Sequence, residues 1–483
     1  MSVDSSSLIQ NQNSVTVDLL YNLKNSAGTS RSYRASIPPN NFSSNIPPSS
    51  NLIFSIPCGR KNTYLDGQNS YLRLTLKNND TTNALYLDNT GACLINMLSV
   101  YHSGNLIDQC PNYNLLFNYL MDFQSNFAAH IGGMSVYMGT SKTLSSYGNV
   151  VAAATGAQIG AAVKDTTIIG TLSGESFADT RAGASIPING SITLCLPLLC
   201  SIFLNSDKMI PLGKLKGDLE FQILLETFVK SVVIAGTPTA WSILNAELVL
   251  QIIELSDTSQ QIVDSMSPPD QPIYIHSNEW RYFSNTLASG TTGNFTSLIS
   301  ARYNSLKSLV CLPQKSSEIT SQVSYSVSSR INPNIISYIW RVGGTMIPNK
   351  MVVLRNDATT AGFAEAYVEV LKSFHGLNNL LYSQLVGAAE YNIWDQAASS
   401  TLGIASPFTT NLSYDNAFCI AQELEVYTSR NDVILQGINT IGQNIFLDCN
   451  IDTTGPTSSY TLSFFANFDV ILIIENGVMR VVM

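Results

Sequence analysis

A chain of 483 residues with 45% hydrophobic content can bury more than one large core, and its length fits about three ordinary domains or two large all-β ones. Charged residues make up 12%, about half the usual share, with Ser, Thr and Asn filling the polar positions. The net charge is −9 and Lys and Arg are scattered without a basic run, which excludes the cationic footprint of a duplex-binding protein.

The eight cysteines (58, 93, 110, 195, 200, 311, 419 and 449) include no CxxC pair, so buried free thiols are expected rather than a metal knuckle. The start, MSVDSSSLIQNQNS, is polar, so no signal peptide is expected, and no apolar run reaches the ~18 residues of a membrane span. Asn-X-Ser/Thr sequons at Asn41, Asn79, Asn189, Asn294 and Asn411 are then chance occurrences in an Asn-rich chain.

Residues 1–51 are rich in Ser, Asn and Pro and read as an arm outside the core, with a short strand at 14–20. Strands begin at 52–56. Asp66-Gly67 is a favoured tight-turn pair, and Leu72, Leu74 and Leu76 then alternate with Arg73, Thr75 and Lys77, a half-buried strand. Residues 93–102 (CLINMLSVYH) read as a buried strand closed by Ser103-Gly104, with NLIDQCP as a connection. Tyr113, Leu116, Phe117, Leu120 and Met121 then recur at helical spacing, with Pro111 near the helix start. Such an aromatic stripe packs on a sheet far more often than it forms a ligand shelf. Residues 124–189 lack periodicity and predict an elaborated surface loop. Strands resume at 191–204. Leu219, Phe221, Ile223 and Leu225 alternate with polar residues, as do Ala246, Leu248, Leu250 and Ile252.

The middle, 250–276, runs from an apolar strand through a polar segment to Pro268-Pro269-Asp270. Adjacent prolines remove two donors and stop both helices and central strands, so this is a hinge. A short helix or turn is expected at 257–266. The expected division is an arm at 1–51, a first unit at 52–258, a crossover at 259–272 and a second unit at 273–483.

The second half repeats the first in order and character. Strands are expected at 271–283, 296–312 and 335–342, the last (IISYIWRV) followed by Gly343-Gly344 and the connection TMIPNK. Phe363, Ala366, Tyr367, Val370, Leu371 and Phe374 form a helical stripe before Gly376, a C-cap signal. An irregular stretch to 416 precedes strands at 417–427, 444–450 and 460–470. Asn476-Gly477 then turns a terminal hairpin. Two all-β units of this size, each with a helix in one loop, imply eight-stranded jelly-roll sandwiches in tandem.

Several stretches carry a resemblance. LPLLCSIFLNSDKMIPLGKLKGDL (196–219), WSILNAELVLQIIELS (241–256), SSRINPNIISYIWRVGGTMIPNK (328–350), EAYVEVLKSFHG (365–376) and TLSFFANFDVILIIENGVMRVV (461–482) resemble double jelly-roll major capsid proteins. Those of virophages and polinton-like viruses, in the adenovirus–tectivirus lineage, look nearest. The resemblance spans about 50–483 and consists of packing patterns rather than a catalytic signature. It implies two jelly rolls side by side, a homotrimeric pseudo-hexagonal capsomer, and an icosahedral virion shell assembled inside the host cell. The implied partners are the chain itself, neighbouring capsomers, and penton and other minor capsid proteins. A low-charge surface suits such burial, which also covers otherwise hazardous sheet edges.

No enzyme is expected, and no cofactor or metal. GxSxG, Walker A, HExxH and EF-hand patterns are absent, and His102, His130, His276 and His375 are dispersed, reading as strand-end or core histidines. The sharpest enzymatic alternative is Glu423 with Glu425, two carboxylates on one strand face, as glycoside hydrolysis requires. Alternating polar residues more often mark a solvent face, and Glu365 with Glu369 on one helical face says as little. The other alternative is a carbohydrate-binding or adhesive β-sandwich, such as a fibre or spike.

Overall fold

A computed structural model describes residues 29–483 except 42, 83–84, 126–132, 140–185, 205–207, 234–240, 267, 269–270, 320–325, 356–361, 375–385, 387–390, 392–393, 396–416 and 427–433. The strand expected at 14–20, the C-cap at Gly376 and most of both long loops lie outside the described residues.

Alternation builds the first half. Its strands are β1 (Ser30–Ile37), β2 (Asn51–Ile56), β3 (Thr63–Asn78), β4 (Ile95–His102), β5 (Asn105–Pro111), β6 (Ser191–Leu196), β7 (Leu219–Leu225) and β8 (Trp241–Leu255). Leu52, Phe54 and Ile56, Leu72, Leu74 and Leu76, and Leu219, Phe221, Ile223 and Leu225 all point inward, at most 1% exposed. Their polar neighbours face out, as a two-residue period requires. One sheet runs β1-β8-β3-β6 and the other β2-β7-β4-β5, all antiparallel.

The second half has β9 (Ile273–Leu287), β10 (Gly293–Ile299), β11 (Leu306–Lys315), β12 (Ile335–Val342), β13 (Thr345–Val353), β14 (Ile420–Glu423), β15 (Ile445–Ile451) and β16 (Tyr460–Glu475). Its sheets run β9-β16-β11-β14 and β10-β15-β12-β13. Numbered from the start of each half, the strand orders are identical: first-eighth-third-sixth and second-seventh-fourth-fifth. That wrapping order is the jelly roll, present twice. A further strand, β17 (Val478–Val482), pairs with β16 beyond the second roll.

Helix α1 (Tyr113–Gln124) joins the fifth and sixth strands of the first roll, and α3 (Ala364–Lys372) lies between the same two strands of the second. Between the rolls, α2 (Asp257–Met266) occupies the position expected for a short helix or turn and buries no residue. The apolar cores of both rolls run into one cluster.

The structure departs from the sequence reading in four places. Ser30–Ile37, within the expected arm, pairs along β8 from Ser30↔Leu255 to Ile37↔Leu248 and is the first strand of the first roll. It is an edge strand with mostly exposed side chains, held by backbone pairing, so hydrophobic pattern does not reveal it. NLIDQCP and TMIPNK, read as connections, are the edge strands β5 and β13. Asp66-Gly67 does not end a strand. Residues 67–70 bulge out of β3 where the register steps from Val249↔Tyr71 to Gln251↔Asp66. Position 67 suits only glycine there, because a Cβ would sit 2.8 Å from the Ile202 carbonyl oxygen. Finally, three strand extents differ: 296–312 is two strands, the strand expected at 191–204 ends at Leu196 with Ser201–Leu204 helical, and among the described residues of 417–427 the strand covers Ile420–Glu423.

Candidate functional site: the seam between the rolls

The two loop helices, equivalent in the duplicated topology, meet. Tyr119 and Phe123 of α1 lie 5.2 and 6.0 Å from the Phe374 ring, and Phe123 lies 6.2 Å from Tyr367 of α3. Aromatic contacts of this geometry add about 0.5–1.5 kcal/mol each beyond area burial. Beside them, Arg330 of the second roll pairs with Asp122 of α1, both side chains wholly buried, and lies over the Tyr119 ring. The Asp88 carboxylate of the first roll accepts from the Val327 N–H (2.6 Å), the Ser328 N–H (3.2 Å) and the Ser328 hydroxyl (2.6 Å).

The far end of the seam is held by β17. The Lys216 N–H donates to the Gly477 carbonyl at 2.7 Å, and the Met479 N–H donates to Nδ1 of His102 at 3.0 Å. Burial lowers the His102 pKa and keeps the ring neutral, the form whose Nδ1 can accept. Between the ends, the turn at Ser201 is gripped from both rolls. Its N–H donates to Asp108 of β5 at 2.7 Å, and its carbonyl accepts from the Ser277 hydroxyl of β9.

The residues weighed for chemistry fall into structural settings. His102 is a strand-end histidine of the seam, while His276 bonds Asp469 at 2.9 Å; His130 and His375 lie outside the described residues. Glu423 and Glu425 stay close, but Glu423 is not on an open solvent face. One of its oxygens accepts the Leu424 and Glu425 N–H groups at 3.1 and 2.8 Å, and burial pushes its pKa up to about 7. Glu425 pairs with Lys307 at 2.7 Å. Glu365 is exposed whereas Glu369 is buried against Lys372 and Gln422. Of the cysteines, all free, six are buried, and Cys58 and Cys195 are half-buried.

Among the described residues no cluster of three His, Cys, Asp or Glu could hold a metal, and no helix is long and apolar enough to cross a membrane. Sequence reasoning missed Asp108, Asp122, Glu279 and Arg330. The available signal was a lone charge inside an apolar run, as in LID108QC and LMD122F.

No protein-family model and no curated protein matches the chain. Solved structures do. A chain of the Sputnik virophage structure matches at TM-score 0.57 and 13% identity, over 97% of this chain and 92% of that one. The Faustovirus major capsid protein matches at 0.57 and 10%, over 95% and 92%. A chain of the PBCV-1 virus capsid matches at 0.56 and 10%, over 96% and 99%. At such identities the shared property is architecture. The coverage extends that architecture across both halves and the seam between them, so the chain has the double jelly-roll fold of these viral proteins.

Proposed function

We propose that this chain is a structural capsid subunit that acts by self-assembly, three copies forming a pseudo-hexagonal capsomer of a viral shell. One observation carries the reading. Within the chain, the fifth strand of the first roll (β5) and the first strand of the second (β9) face each other, and Ile107, Asp108 and Cys110 of one and Ile275, Ser277 and Glu279 of the other are buried. Their counterparts, β13 of the second roll and β1 of the first, are largely exposed, β13 with Met346, Met351 and Val353 bare. An unused fifth-strand edge at one end and an unused first-strand edge at the other make a head-to-tail pair, which closes into a ring when the rotation permits. Six rolls from three chains give the pseudo-hexagon. The match to the Faustovirus major capsid protein over nearly the whole chain supports the same assignment. Virion location, neighbouring capsomers and penton or other minor capsid partners belong to this reading, as does a role without catalysis.

The test is the mass of the purified protein in solution. A particle of three times 52.5 kDa with hexagonal outlines in electron micrographs is expected, and Met346→Asp with Met351→Asp is expected to yield folded monomers. A wild-type chain that stays monomeric at micromolar concentration would refute the assignment.

A further inference from the structure

The middle of the seam holds two buried acids, one from each roll. Glu279 stands on β9, two residues from Ser277 on the same buried face, and is 1% exposed. Neither of its carboxyl oxygens has a hydrogen-bond partner, and the Arg281 guanidinium is 3.6 Å away. Across the seam, Asp108 of β5 is 4% exposed and bonds the Ser201 N–H. A buried ionised carboxylate needs a partner or loses its charge.

The groups around the pair leave little to balance two negative charges. Cys110 on β5, Cys200 beside the Ser201 turn, Tyr113 on α1 and Tyr303 are all held protonated by burial. Arg281, on β9 itself, is the cation facing them. With both acids ionised, this buried junction would carry an excess negative charge drawn from both rolls.

We propose that a proton kept on this buried pair of acids, Asp108 and Glu279, holds the two rolls together, so that the joint loosens when alkaline solution removes it. Burial first, then the Asp108 charge, pushes Glu279 up to about 9, and burial pushes Asp108 up to about 6. Both shifts are upward, so the folded joint binds protons that the unfolded chain releases. Its stabilisation is full below the ordinary carboxylate range, falls as pH rises, and is lost once pH passes the Glu279 value. Between the two values the pair holds one proton.

Hydrogen exchange of the full chain, corrected for intrinsic rates, reads the joint directly. Between about pH 6.5 and about pH 9.5, β5, the Ser201 turn and β9 should lose about tenfold or more of their protection, while the sheet centres keep theirs. Glu279→Gln, which copies the protonated acid, should remove most of that loss. Asp108→Asn removes the neighbouring charge but leaves Glu279 buried, so it should make the loss smaller and complete it at lower pH, and it carries the comparison if the first variant fails to fold. An infrared band of a protonated carboxylic acid, present at neutral pH and diminished by Glu279→Gln, is the independent sign. A wild-type seam indifferent to pH, or variants that follow the wild-type profile, would overturn the proposal.

Discussion

Arg330 carries its charge to a place with no access to water, and Asp122 is its counter-ion. Taking two ions out of water costs several kcal/mol each, so the pair contributes little net stability while intact. Removing one partner strands the other. Arg330→Ala is therefore expected to lower the free energy of unfolding by about 3–5 kcal/mol, whereas Arg330→Met with Asp122→Leu recovers most of it. Denaturant unfolding of Arg330→Ala, and of Arg330→Met, Asp122→Leu and their double variant run as a cycle, checks this. An Arg330→Ala protein as stable as the wild type would mean that the pair is solvated. Sequence could not expose this pair. The period of α1 identifies the apolar stripe from Tyr113 to Met121, yet Asn114, Asn118 and Asp122 are buried too. Asn114 and Asn118 meet Glu226 and Thr90 of the first roll and Asp122 meets a roll encoded two hundred residues later, and periodicity within one helix carries no trace of either.

Elements were legible where packing writes a period. Strands β3 and β7 and helix α3 each bury one clear set of side chains, and their sequences show it. The two fifth strands were missed for a common reason. NLIDQCP and TMIPNKMVV are edge strands containing proline, and β13 has exposed side chains over most of its length, so neither alternates. The terminal hairpin is the opposite case. Asn476 and Gly477 both take positive φ, 55° and 87°, as a two-residue turn of this kind demands. Here the turn also serves the seam, since the Gly477 carbonyl accepts from Lys216. A Cβ at 477 would lie 2.5 Å from Cγ of Lys216. Gly477→Ala should thus cost about 1–2 kcal/mol from backbone strain and should speed exchange of the Lys216 and Met479 amides in particular. Unchanged exchange at those two amides would show that β17 does not tie the rolls together.

At the scale of the molecule, the duplicated order was readable because each half repeats strand, helix and long loop in sequence. The direction in which the halves face each other was not, because it depends on side chains that meet only after both rolls form. That distinction decides what the hinge does. Helix α2 buries nothing and touches the first roll through polar contacts such as Tyr64–Gln260 at 3.0 Å and Asn62–Asp257 at 2.7 Å. It carries the chain across without cementing the rolls. The cement is the aromatic cluster of α1 and α3, the Arg330–Asp122 and Asp88 contacts, the Ser201 turn and β17. A protease site placed at 267–272 and cut in the folded protein removes only the covalent tether, whose entropic contribution varies slowly with chain length. The nicked chain is expected to run as one particle on native size exclusion and to separate into halves only in denaturant. Two folded halves eluting apart under native conditions would shift the joining role from the seam to the linker, and the outward edges of β1 and β13 would then lose the fixed geometry that a closed ring requires.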